Sequence, residues 1–369
     1  MDSQGVFCPN LACPARGQAN QGNMRVHSQR ERRYRCTVCG QTFAATKGTA
    51  LYRLHHPQAR FVQVVTLLAY GCPPAAIVAA FGLDERTVAA WQQRAGAHAE
   101  RVQQAVVEQP HALGHVQADE LRIKQQGGVV WIAMALAVAS RLWLGAVVQV
   151  RRDGELAERL ARLVRRCLTP DAPLVWSVDG WQPYVRAVEQ VFRDPVHTGT
   201  SGRPRLRRWA DLALAQVIKQ TTKRRRLVGI TRRVVLGAAE QVAAGFGDGV
   251  INTAWIERLN ATFRARLCAL VRRGRALARQ TETLPPATYL TGTVYNFCTP
   301  HGTLSFQAHQ PTTPAMAAAL ADHCWSLEEL LTYHIPPPRW HPRRHPGRRS
   351  RHERALTARW CAYSNFQVS

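Results

Sequence analysis

At 369 residues the chain is long enough for two or three domains, and 46% hydrophobic content with ten tryptophans excludes a mainly disordered protein. The formal charge is +25, concentrated in four blocks: residues 1–60 carry +7, 203–233 carry +10, 258–279 carry +7 and 336–369 carry +7, which leaves −6 for everything else. Basic blocks around an acidic remainder fit a nucleic-acid partner that meets an acidic pocket, with solubility or nonspecific RNA binding as the competing reading. The longest apolar run, residues 129–139, is too short to span a bilayer, so no membrane role is expected. The amino terminus is polar and shows no secretory signal, so the ten cysteines point to reduced thiols and metal ligation in a bacterial cytoplasm, close to the nucleoid.

Residues 1–48 predict a zinc-binding module. Cys8-x4-Cys13 and Cys36-x2-Cys39 are two ligand pairs separated by 22 residues, and four thiolates suit a closed tetrahedral Zn²⁺ site that staples a segment too short for its own core. Gly40 lets the backbone turn toward a thiolate, and Tyr34 and Phe43 offer a small apolar centre. The wider first pair leaves Cys8 open to replacement by His27 as the fourth ligand.

Residues 49–108 predict three helices. Phe61, Val64, Val65 and Leu68 recur at helical spacing, Gly71 stops the first helix, and Pro73-Pro74 starts the second. Gly82-Leu83 turns the chain, and Asp84 caps a third helix with Val88, Ala89 and Trp91 inward. Arg86, Thr87, Gln92, Gln93 and Arg94 then face outward, as in a helix-turn-helix that reads DNA. An ordinary three-helix bundle is the competing reading.

Residues 109–300 predict an α/β core of ribonuclease H-like type. Three apolar segments (113–121, 129–139 and 142–150) read as strands joined by turns at Gly127-Gly128 and Ser140-Arg141. Asp153 caps an amphipathic helix bearing Leu156, Leu160, Leu163 and Val164. A strand at 173–178, a helix at 184–192, a strand at 212–219 and a helix from Thr253 follow. Three acids stand on separate elements: Asp119 (or its neighbour Glu120), Asp179 and Glu257. Oxygen ligands of this kind suit two Mg²⁺ or Mn²⁺ ions, about 3.5–4 Å apart, that act together on a phosphodiester.

Four strings make the chain resemble a DDE insertion-sequence transposase of the bacterial insertion-sequence-one type. They are Tyr34-Arg-Cys-x-x-Cys-Gly-x-x-Phe43, the helix-turn-helix after it, Val178-Asp-Gly-Trp-x-x-Tyr184, and Ile256-Glu-Arg-x-Asn260 followed by arginines. The resemblance implies that Asp119, Asp179 and Glu257 are the catalytic, metal-binding acids. It implies DNA-phosphate contacts for Arg264, seven residues beyond Glu257 on the same helical face, and for Arg272 and Arg273. It also implies double-stranded DNA partners, namely the element's terminal repeats and a target, and a homo-oligomer that pairs two ends. A basic insertion at about 197–250 departs from compact members and reads either as a DNA-gripping hairpin or as a solvated loop.

Residues 301–335 predict a short helical segment, with Tyr295 and Asn296 before it packing in the core. Residues 336–369, with eight arginines against one glutamate, predict a disordered polyanion-binding tail. The competing functional reading is a zinc and helix-turn-helix DNA-binding regulator whose core has decayed. A histidine-pair nicking enzyme is excluded because His55 and His56 are adjacent.

Overall fold

A computed structural model of the chain describes residues 2–196, 203–222, 224, 226–247, 249–270, 280–340 and 350–365. Two compact units emerge: Met1–Gln58 with Leu331–Ser369, and Ala59–Leu330. The described residues form a mixed α/β protein in which no helix is long and apolar enough to cross a membrane.

The first unit opens with an antiparallel three-stranded sheet, β1 (Met24–Ser28), β2 (Arg33–Cys36) and β3 (Thr42–Ala44). Tyr34 and Phe43 are cross-strand partners with ring centroids 6.1 Å apart, and pack with Met24, Val38 and the cysteines into one small core.

The second unit starts with three helices, α1 (Gln58–Ala69), α2 (Pro74–Phe81) and α3 (Glu85–Val106). Phe61, Val64, Val65 and Leu68 bury the expected stripe, Gly82 ends α2 at φ 61°, and Asp84 Oδ1 accepts the Arg86 N–H at 2.8 Å to start α3. Val88 and Trp91 face inward but Ala89 is exposed, because it lies one step off the Val88–Trp91–Ala95 stripe. Arg86 is exposed, while Thr87, Gln92, Gln93 and Arg94 are partly exposed.

The core sheet follows: β4 (Gly114–Gln125), β5 (Gly128–Ala137), β6 (Leu142–Gln149), α4 (Gly154–Arg166), β7 (Leu174–Asp179), α5 (Pro183–Val191), a two-stranded ribbon β8 (Arg193–Val196) and β9 (Arg205–Arg208), then β10 (Leu212–Thr221) and β11 (Leu227–Leu236). The six long strands lie in the order β11-β10-β7-β4-β5-β6. β4 pairs antiparallel with β5 and parallel with β7, β10 is parallel to β7, and β11 returns antiparallel along the edge. The first long strand does not end at the acid pair, as expected, but runs through it to Gln125, because Leu121 and Ile123 keep the alternation buried. Asp153 caps α4 as expected, its Oδ1 accepting from Leu156 N at 3.2 Å.

After α6 (Ala239–Phe246), α7 (Ala254–Arg266) lays Ile256, Leu259 and Phe263 on the face formed by Leu121, Ile132 and Met134. α8 (Leu284–Cys298) is buried along most of its length, Tyr295 and Asn296 included, and packs on α3 and β6. A Cβ on Gly96 of α3 would stand 2.2 Å from the Pro286 carbonyl oxygen, so the two helices meet backbone to backbone. The three amino-terminal helices therefore belong to the same compact unit as the sheet. Short helices α9 (Gly302–Ala308), α10 (Pro314–Ala317) and α11 (Leu327–Thr332) follow.

Helix α12 (Arg351–Asn365) occupies the carboxyl-terminal segment expected to be disordered. Ser350 Oγ accepts from Glu353 N at 3.1 Å as its cap, Leu356 is buried, and Trp360 packs against the cysteine core of the first unit. Leu356 and Trp360 are four residues apart, one apolar face that the arginine count conceals.

Candidate functional site

In the first unit the two cysteine pairs converge. Cys8 Sγ lies 3.7 Å from Cys39 Sγ and Cys13 Sγ lies 3.9 Å from Cys36 Sγ, and ligand atoms from all four fall within 4.8 Å of one another. Gly40 at φ 75° donates its N–H to Cys36 O at 2.8 Å, which folds the second pair back on itself. His27 is exposed on β1 and stands outside the cluster, so Cys8 supplies the fourth sulfur. Hydrogen bonding with Cys36 and Cys39 holds the Cys13 thiol well above the usual thiol range.

In the second unit the acids gather where the central strands part. β4 and β7 stay paired only as far as Gln117 and Ser177, whereas β7 and β10 continue to Asp179 and Val217. The opened edge forms a cleft of about 690 Å³ whose lining includes Asp119, Asp179, Glu257, Arg152, Lys219 and Arg264. Carboxylate oxygens of Asp119, Glu120 and Asp179 lie within 4.8 Å of one another, a group able to hold a metal ion. Glu257 lines the same cleft outside that close group.

Each acid is held differently. Asp119 Oδ1 accepts from Glu120 N at 2.9 Å and its Oδ2 accepts from Asn260 Nδ2 at 2.7 Å. Asp179 Oδ1 accepts from Trp181 N at 2.9 Å, and Gln216 Nε2 donates to its carbonyl at 3.2 Å. Glu257 Oε1 accepts from Thr253 Oγ1 at 2.9 Å and is ion-paired with Lys219. Glu120, still within that close group, is buried, ion-paired with Arg152 and accepts from Tyr184 OH at 3.2 Å. Burial first, then the Asp179 charge, pushes the Asp119 carboxyl up to about 6 and the Glu120 carboxyl up to about 7. A cation in the cleft would relieve both.

Several residues that build this site carry no signal of their own in sequence. Arg152 reaches Asp179 Oδ2 at 3.5 Å and lies between the rings of Trp131 and Trp181, 5.2 and 4.5 Å from their centroids. Gln117 Oε1 accepts from Trp255 N and Ile256 N, both at 3.1 Å, which anchors the start of α7 to β4 and fixes the depth of Glu257. Asn260 stands within a recognised string, three residues beyond Glu257, and that spacing alone places it on the Glu257 face.

Of the other expected contacts, Arg264 lines the cleft, whereas Arg272 and Arg273 lie outside the described residues. The basic insertion contains β9, β10, β11 and α6, and its β10–β11 hairpin carries Lys219 to Glu257. None of the ten cysteines is in a disulfide. No protein-family model matches the sequence, and no curated protein matches it.

Proposed function

We propose that this chain is a DDE-type DNA transposase that binds the ends of its element and carries out metal-dependent strand cleavage and strand transfer. The observation that carries the reading is that Asp119, Asp179 and Glu257, from three elements far apart in sequence, line one cleft. The sheet order supports it: three antiparallel strands, then two strands parallel to the first, is the arrangement of a ribonuclease H-like core. The paired short and long helices α2 and α3, with a glycine turn between them, support a helix-turn-helix whose outward Arg86, Thr87, Gln92, Gln93 and Arg94 contact DNA.

Two divalent ions, Mg²⁺ or Mn²⁺, fit the cleft because its donors are carboxylate oxygens, and a cation would offset the burial that raises the Asp119 carboxyl. Asp119, Asp179 and Glu257 would hold them, and when bound they supply activation of the attacking hydroxyl and neutralisation of the phosphate charge. Asn260 and Trp181 N–H orient Asp119 and Asp179, while Arg264 binds backbone phosphate at the cleft wall. Lys219, which pairs with Glu257, would give way to a bound cation there.

In the first unit the sulfur separations match tetrahedral Zn²⁺, since a Zn–S distance of about 2.3 Å places ligand sulfurs about 3.8 Å apart. That module acts with the helices in binding the terminal repeats. Pairing two ends makes the active form a homo-oligomer on DNA in the bacterial nucleoid. A regulator with a decayed core is disfavoured by the three acids sharing the cleft. The test is a joining reaction with Mg²⁺ on a duplex carrying the inverted repeats that flank the gene: joined strands with free 3′-hydroxyl intermediates support the reading, and binding without any strand chemistry refutes it.

A further inference from the structure

The three-stranded sheet of the first unit has two unlike faces. Met24, Val26, Tyr34, Cys36 and Phe43 pack inward on the cysteine core, and the alternation turns Arg25 and Arg35 outward, both exposed. Residues 24–35 hold five arginines against one glutamate. Arg25 and Arg35 are direct cross-strand partners, and neither meets a carboxylate among the described residues. Like charges placed directly opposite in a sheet, with Cβ atoms about 4.5–5.5 Å apart, work against the pairing.

The turn between β1 and β2 adds Arg30 and Arg32, both exposed. Its backbone is fixed: Glu31 N donates to Ser28 Oγ at 3.1 Å, Arg32 N to Gln29 O at 3.2 Å, and Ala45 N to Arg32 O at 2.8 Å. Arg32 sits at φ 51°, in the left-handed region that suits glycine and strains an arginine. A cation therefore stands where the backbone alone favours no side chain at all. Next to it on β2, Arg33 Nη2 donates to Thr42 Oγ1 at 2.8 Å, which braces β2 against β3. The aromatic rings of the sheet, Tyr34 and Phe43, lie on the buried face, so the outward face offers charge but no platform on which unpaired bases could stack.

We propose that Arg25, Arg30, Arg32 and Arg35 form a platform for the phosphate backbone of duplex DNA, so that the cysteine module contributes affinity without reading sequence. Backbone phosphates supply the counter-charge that the opposed Arg25 and Arg35 lack, and contacts of this kind position a protein on a duplex while carrying no sequence information. The proposal rests on the DNA-binding part of the reading above and is independent of strand transfer.

The experiment is equilibrium binding of the full chain to duplexes of several unrelated sequences across a salt series. Replacing Arg25 and Arg35 together, Arg25→Gln with Arg35→Gln, makes the slope of log K against log salt shallower by about 2, equally for every sequence. The charge-keeping pair Arg25→Lys with Arg35→Lys retains the wild-type slope. Arg32→Gly, which suits the left-handed backbone and so keeps the turn, makes the slope shallower by about 1. All three positions are exposed, and unchanged protease resistance of residues 2–58 in each variant shows that the fold is kept. Duplex binding with the wild-type slope in the glutamine pair and in Arg32→Gly overturns the proposal and leaves DNA binding by the chain standing. No duplex binding by the wild type overturns both. A loss confined to one duplex sequence, or one seen with RNA and not with DNA, also overturns the proposal.

Discussion

Asn260 donates its side-chain N–H to Asp119 Oδ2 at 2.7 Å and thereby ties helix α7 to the central strand β4. Glu257 stands one turn earlier on that helix, so this single bond aligns two acids from opposite ends of the core. Asn260→Ala leaves the Asp119 carboxylate free to rotate and is expected to weaken divalent-ion binding by about 10- to 100-fold, as loss of a ligand-orienting partner does. Calorimetric titration with Mn²⁺ measures it; unchanged affinity would show that Asp119 needs no such support.

Asp119 and Glu120 are adjacent but differently employed. Asp119 lines the cleft, whereas Glu120, close to it, is engaged by Arg152 and Tyr184. Asp119→Asn is expected to lower strand transfer by on the order of a thousandfold or more, and Glu120→Gln, which still accepts from Arg152, by about tenfold or less. Equal losses in single-turnover assays would make Glu120 a direct ligand.

The four-cysteine cluster should carry one structural metal per chain, because four sulfurs within 4.8 Å of one another suit a single tetrahedral cation. Cys8→Ser or strong chelation is expected to release it and expose residues 2–58 to protease while the second unit stays resistant. Metal analysis and limited proteolysis follow both. A Cys8→Ser protein with full metal content and intact protection would restore His27 or another ligand.

His115 predicts a pH dependence of stability. It is buried on β4 with Nε2 2.9 Å from Ser177 Oγ, and burial lowers its imidazole to about 4 from the ordinary 6.5. Between those values the unfolded chain binds the proton more readily than the native one, so this group costs stability as pH falls, by about 3 kcal/mol at full effect. Asp119 and Glu120 are shifted the other way and favour the native state as pH falls through the same range. The contribution is therefore read as a difference: against wild type, His115→Gln should flatten the acid-side loss of denaturation midpoint between pH 6.5 and pH 4. Parallel profiles would place His115 in a more solvated site.

The elements that carry the site were legible because each had local punctuation. Asp84 and Asp153 marked their helices as caps, and Gly127 marked a hairpin. The run ending at Asp179 had the length and apolarity of a buried strand. Glu257 was legible as an acid in the first turn of an arginine-rich helix, within Ile256-Glu-Arg-x-Asn260. What was not legible depends on packing between distant segments. Arg152 sits in a loop and is defined only by Trp131 and Trp181 closing on it; Gln117 looks like one polar residue in an apolar strand until α7 arrives to use it. The carboxyl-terminal helix was hidden for a different reason: its charge dominates composition, while its order comes from two apolar residues and a serine cap.

The central claim is that the cleft joins DNA strands, and the Asp179 carboxylate tests it most directly. Full-length wild type and Asp179→Ala are compared on a duplex bearing the flanking inverted repeats, with end binding and Mg²⁺-dependent strand transfer measured on the same samples. Asp179→Ala is expected to bind the ends as wild type does and to give no joined product. Strand transfer at the wild-type rate by Asp179→Ala would contradict it.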